Sequence, residues 1–176
     1  LTEEKFYEKA QKYTLLKNTD GKYFTFDEYK KLIKENQTDK DKNLIYLYAT
    51  DRDKQYTFIE NAKAKGYDVL IMDGQLDTHF INHIEQKMDN SRFLRVDSDI
   101  IDKLIKKEEV EESKLSAEEK AQLRQMFESQ LPGSATFTIT FENLKETDDP
   151  IVVTQSEYMR RMKDMSAGQG GMNFYG

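Results

Sequence analysis

The feature that most limits what this chain can fold into is one almost unbroken apolar run, Asn43-Leu44-Ile45-Tyr46-Leu47-Tyr48-Ala49-Thr50. A strand with one wet face alternates apolar and polar residues. This run does not, so it suits a strand buried on both faces of a parallel sheet. Asp51 to Lys65 follows with a helical pattern, and Gly66 stops it. Tyr67 to Met72 is a second buried strand. Leu76 to Met88 reads as a helix, with Leu76, Phe80, Ile84 and Met88 four apart. Arg92 to Val96 is a third strand. The order βαβαβ predicts a small α/β subdomain in three layers. Its three-stranded parallel sheet has right-handed crossovers and helices on its faces.

The flanks carry clear punctuation. Asn18-Thr19-Asp20-Gly21 is a turn signal, and Gly21 can take positive φ. Thr25-Phe26-Asp27-Glu28 fits a capping box that opens a helix to about Glu35, with Tyr29, Leu32 and Ile33 on one face. Asp97 to Ser113 is charge-dense, with Ile100, Ile101, Leu104 and Ile105 as its apolar stripe. It reads as a helix running into a solvated connector, with a domain boundary near Glu111. Ser116-Ala117-Glu118-Glu119 is a second capping box. Its helix has an apolar face of Leu123, Met126, Phe127 and Leu131, and Pro132-Gly133 ends it. Ala135 to Phe141 alternates as a strand, with Ile151 to Thr154 as its hairpin partner. Thr154-Gln155-Ser156-Glu157 is a third capping box, opening a helix to about Ser166. The C-terminal piece is therefore expected to be α+β, a helix–hairpin–helix.

Composition narrows the function classes. The 176 residues suit about one domain or two small ones. There are 27 Lys and Arg against 33 Asp and Glu, a net charge of −6. That balance argues against a general nucleic-acid binder, which needs a basic face. The absence of cysteine excludes disulfide scaffolds, thiolate metal sites and cysteine nucleophiles, and fits a reducing, cytoplasmic setting. No apolar run approaches a membrane span. The chain starts at Leu1 and ends in a Gly- and Met-rich stretch, as expected of a segment cut from a longer protein.

Three sets of residues could carry chemistry. Asp51 and Asp53 follow the first strand of the unit and Asp73 the second, where open α/β sheets bind ligands. A Mg²⁺-dependent enzyme domain could use them; alternatively, Asp51 or Asp53 caps a helix. His79 and His83 are four apart, but the zinc-peptidase pattern needs Glu where Phe80 stands. No glycine-rich phosphate loop of either common type occurs. The third set is the last helix. Tyr158, Met162 and Met165 fall at i, i+4 and i+7, with Met159 beside them. An exposed methionine stripe suits adaptable contact with varied apolar partners, while a buried one would only pack the fold.

Several blocks in order resemble the heat-shock protein 90 chaperones, most closely their bacterial form. They are Phe6-Tyr7-Glu8-Lys9, Leu15 to Tyr23, Thr25 to Tyr29, Asn43 to Thr50, Ala64 to Asp73, Leu76-Asp77, and Tyr158-Met159-Arg160-Arg161-Met162-Lys163. The resemblance implies the end of that family's middle domain over residues 1–110. Residues 111–176 would be the first part of the C-terminal domain, before its dimerisation helices. It implies no catalytic residue, cofactor or metal in this segment. ATP and Mg²⁺ would be bound elsewhere in a homodimeric, stress-response parent. It also implies contact with unfolded client proteins in two places. One is the exposed part of the second helix, carried onto Thr78, His79 and Asn82, where Thr78 and His79 depart from the Glu and Trp of some bacterial members. The other is the last helix, carried onto Tyr158, Met159, Met162 and Met165.

Overall fold

The computed structural model describes residues 13–107, 113–131, 137–143 and 150–168, with side chains through Met162. The chain divides into two compact units, Leu1–Glu108 with Val153–Gly176, and Glu109–Val152. In chain order the elements are β1 (Leu16–Lys17), β2 (Tyr23–Phe24), α1 (Phe26–Ile33), β3 (Leu44–Ala49), α2 (Tyr56–Ala64) and β4 (Val69–Ile71). They continue with α3 (Asp77–Glu85), β5 (Ser91–Arg95), α4 (Ile101–Leu104), α5 (Ala117–Gln130) and α6 (Glu157–Gly168).

The first unit is the expected parallel α/β layer. β3, β4 and β5 form one parallel sheet in the order β4-β3-β5. All six residues of β3 are buried, because the strand is central and covered on both sides. Its pleat sends Leu44, Tyr46 and Tyr48 into one core with Phe26, Tyr29 and Ile33 of α1 and Ile81 and Ile84 of α3. Ile45, Leu47 and Ala49 enter the other core with Ile59 and Ala62 of α2 and Leu104 after β5. The connection from β3 to β4 thus lies on one face, and the return from β4 past β3 to β5 on the other. Two crossovers of one hand require that arrangement. In the first core, the Tyr46 and Phe93 rings stack with centroids 4.7 Å apart.

Two of the expected helix starts stand as read. Glu28 N–H donates to Thr25 and the Glu28 carboxylate accepts from Thr25 N–H, which completes the first capping box. Ser116 and Glu119 make the same pair at α5. Gly21 has φ +79 and Gly66 has φ +75, the left-handed backbone their turns require.

Four features differ from the sequence reading. The helix expected from Asp51 begins at Tyr56, since Asp51 Oδ1 accepts from Asp53 and Lys54 N–H and closes a separate turn. Leu76 is 64% exposed, while Ile81 and Ile84 form the buried face of α3. Strict four-residue spacing drifts around a helix of about 3.6 residues per turn, so Leu76 falls off that face. Among the described residues, the charge-dense stretch after β5 forms only the four-residue α4, with Leu104 and Ile105 buried. Finally, the described parts of the expected hairpin, 137–143 and 150–154, contain no strand apart from one bridge residue at Glu142. Ile151 and Val153 are 62% and 71% exposed there, so alternation finds no layer to bury against. The residues between fall outside the described set.

In the second unit, α5 has no buried residue. Arg124 lies over the Phe141 ring, with its guanidinium carbon 5.9 Å from the centroid.

Candidate functional site

α6 packs on α3 and the β5 edge, within the first unit. At about 100° per residue, Glu157, Arg160 and Arg161 share one arc of the helix, and Tyr158, Met159 and Met162 share the other. The first arc is the docking face. Arg160 is only 2% exposed, and it donates through Nη2 to Tyr48 Oη at 3.0 Å and to Glu157 Oε2 at 2.6 Å. Arg161 donates to Asn82 Oδ1 at 2.8 Å, to Glu85 Oε2 at 2.6 Å and to the Phe93 carbonyl at 2.6 Å. The Tyr48 hydroxyl donates to Glu157 Oε1 at 2.8 Å. One carboxylate thus meets two guanidiniums and a phenol, which satisfies much of the hydrogen bonding that burial demands.

The same side chains close the sheet. β5 is an edge strand, and an edge leaves backbone groups without a ladder partner. Phe93 N–H donates to Glu85 Oε1 at 2.6 Å, and Arg95 N–H donates to Glu157 Oε2 at 3.1 Å. With the Phe93 carbonyl held by Arg161, α3 and α6 together occupy that edge.

Electrostatics follow from this packing. Burial by itself raises the Glu157 carboxyl, but the Arg160 charge and the bonds from Arg161, Arg95 N–H and Tyr48 outweigh it and hold the group below the usual carboxylate range. Burial by itself lowers Arg161, and the bonds from Glu85 and Glu157 more than reverse that. Burial, then the Glu157 charge, pushes the Tyr48 phenol up to about 12.

Glu157 is the first helical residue of α6, not the third position of a box opened at Thr154. Its carboxylate goes to tertiary partners. The chain enters α6 instead through Gln155 N–H, which donates to the Asp97 carbonyl at 3.3 Å.

The outward arc is apolar and bare. Tyr158, Met159 and Met162 are 71%, 57% and 53% exposed. The Met165 side chain falls outside the described set. On α3, Thr78 and His79 are half-buried, and Asn82 is half-buried with its carbonyl oxygen held by Arg161. Asn82 lies one turn from both Thr78 and His79, so the patch expected on α3 borders the docking face of α6. Tyr48, Glu85 and Arg95 belong to this site, yet local pattern did not single them out. Tyr48 to Glu157 spans 109 residues, and local spacing carries no signal over that separation.

The acidic set is partly assembled. Asp51 and Asp73 line an open cleft of about 700 Å³ with Lys17, Asp20 and Arg52. Asp53 is not among the lining residues. Asp51 is committed to its turn and to an ion pair with Lys54 at 2.9 Å, and neither it nor Asp53 caps α2, whose N-cap is Gln55. Among the described residues, no group of three or more His, Asp and Glu side chains could hold a metal ion, and this covers Asp51, Asp53, Asp73, His79 and His83. No helix among them is long and apolar enough to cross a membrane.

Comparison with known proteins agrees with the blocks read from the sequence. The Hsp90 protein family profile matches residues 5–171. The chain is 55% identical over its whole length to the chaperone protein HtpG of Bacteroides fragilis strain YCH46. It is 53% identical to HtpG of Bacteroides thetaiotaomicron and 49% to HtpG of Porphyromonas gingivalis, again over the whole chain. It spans 26% of the length of these relatives. Among solved structures it is similar to the middle domain of a Plasmodium falciparum heat shock protein, at 20% identity and a TM-score of 0.41, covering 55% of this chain and 40% of that one. A sequence profile spanning nearly the whole chain, with relatives near half identity throughout, settles its kinship: the chain belongs to the Hsp90 protein family.

Proposed function

We propose that this chain is the client-binding segment of an ATP-dependent, HtpG-type chaperone. The observation that carries this is the two-sided chemistry of α6. Its charged arc is engaged with the α/β unit, while Tyr158, Met159 and Met162 are 71%, 57% and 53% exposed. Large apolar side chains are left exposed at a cost in solubility, and a flexible methionine face suits partners that differ in sequence. Met165 extends that face by sequence spacing. Thr78, His79 and Asn82 form its neighbour on α3.

Each apolar side chain that a client buries contributes about 1.5–3 kcal/mol. Ordering an unfolded client opposes this by several kcal/mol, so a single copy binds weakly, at about micromolar affinity. Two copies in a homodimeric parent raise the avidity without new contacts. In this reading residues 1–110 close the middle domain and residues 111–176 open the C-terminal domain. The segment performs no catalysis. ATP and Mg²⁺ act in another part of a cytoplasmic, stress-response parent, and no nucleic acid or membrane is involved.

The test is titration of the chain into fluorescein-labelled, reduced and carboxymethylated α-lactalbumin, a permanently unfolded protein, read by anisotropy. Saturable binding that disappears in the Tyr158→Asp, Met162→Asp double variant, with its melting temperature unchanged, supports the reading. Equal binding by the double variant refutes it.

A further inference from the structure

We propose that Arg161 is the positioning residue of the client surface, fixing α6 against α3 so that their exposed sides form one patch. This rests on the client-binding reading above.

The geometry singles out Arg161 from the rest of the dock. Arg160 and Glu157 tie α6 to Tyr48 and Arg95, at the sheet. Arg161 alone among the described α6 side chains also reaches the side chains of α3, at Asn82 and Glu85. It does so with a planar fork that satisfies three elements at once. Nη1 serves α3, Nη2 serves the Phe93 carbonyl of β5, and Nε at 2.7 Å from Glu157 Oε1 stiffens α6 itself. Five donors in fixed directions define an orientation, which the single ammonium of lysine cannot reproduce.

The consequences for the two candidate patches follow from helical geometry. Tyr158 sits three residues before Arg161 on α6, and Thr78 sits four residues before Asn82 on α3. Both therefore lie about one turn from the Arg161–Asn82 bond, on their respective helices. That bond sets where Tyr158 and Met162 stand relative to Thr78 and His79. Asn82 then acts mainly as the holder of Arg161, since its carbonyl oxygen is taken up in the dock.

The experiment separates positioning from folding and from client contact. The chain has no cysteine, so Gln86→Cys and Met159→Cys place one spin label on each side of the dock. In the 176-residue chain without client, the interlabel distance distribution is narrow. Arg161→Lys broadens it in a chain that still unfolds in one cooperative transition. The unlabelled Arg161→Lys chain then binds the unfolded α-lactalbumin about fivefold or more weakly, the lower end of ordinary coupling between sites. Asn82→Ala shows the same broadening, and adding it to Arg161→Lys causes no further loss.

An unchanged distance distribution in Arg161→Lys overturns the proposal. So does weakened binding that appears only at temperatures where the variant has begun to unfold, since that marks a merely structural role. If the distribution broadens and binding is unaffected, the dock positions nothing that clients read, and the proposal also falls. Failure of the client reading is seen separately, as equal binding by the Tyr158→Asp, Met162→Asp chain.

Discussion

Tyr48 and Arg160 stand 112 residues apart in the chain, and Arg160 Nη2 donates to the Tyr48 hydroxyl at 3.0 Å. This contact joins the central strand to the last helix. The same hydroxyl donates to Glu157, so one phenol ties together the acid and the base of the dock.

Tyr48→Phe removes both bonds and leaves Arg160 buried with one partner fewer. Buried polar groups that lose a partner cost about 1–3 kcal/mol. The expected result is a loss of that size in denaturant unfolding. The sheet core is preserved, because the ring still packs with Leu70 and Phe93. An unchanged midpoint would show that the hydroxyl contributes nothing to the dock.

The dock also has a pH window. The Glu157 carboxyl is held below its ordinary value of 4.5, so its contribution is complete above that value and is lost as the pH falls through its lower folded value. Tyr48 acts at the other end. Its phenol is raised from 10.0 to about 12, so its contribution is complete below pH 10.0 and is lost as the pH rises through about 12. Protection factors of α6, exchange rates divided by the intrinsic rate at each pH, should therefore be highest between these limits and fall in acid before those of β3 do. Acid insensitivity of α6 in Glu157→Gln, with parent-like loss in the unaltered chain, is the matching control.

Gly66 ends α2 with φ +75, and a Cβ there would meet only Asn36 Nδ2, at 3.7 Å. Crowding is therefore not the issue. Gly66→Ala should cost about 1–2 kcal/mol through left-handed backbone strain alone. Gly66→Asn should cost less, because asparagine tolerates that region. Thermal melts of the two variants measure the difference, and equal losses would contradict it.

The two intact capping boxes offer a contrast. Thr25 opens α1, whose Phe26, Tyr29 and Ile33 are buried. Thr25→Ala should cost about 1 kcal/mol of global stability, the ordinary worth of a cap. Ser116 opens α5, which buries nothing. Ser116→Ala should instead fray α5, seen as faster amide exchange over Ala117 to Lys120, with the melt of the α/β unit unmoved. A parallel drop in the global melt would show that α5 is energetically part of that unit.

How much was legible in the sequence follows from the range of each cause. The unbroken run over Leu44 to Ala49, the glycines at 21 and 66, and the boxes at Thr25 and Ser116 act within a few residues. Their consequences could be read directly, and so could the apolar composition of the Tyr158, Met159 and Met162 face. Nothing local distinguished an exposed methionine face from a buried one, because both have the same spacing. The tertiary structure decided that, by sending Arg160 and Arg161 inward to Tyr48, Asn82 and Glu85. It also moved Glu157 from an expected cap to the centre of the dock. A carboxylate goes to the partners that best offset its burial, and here those partners come from strands and helices far away in the chain.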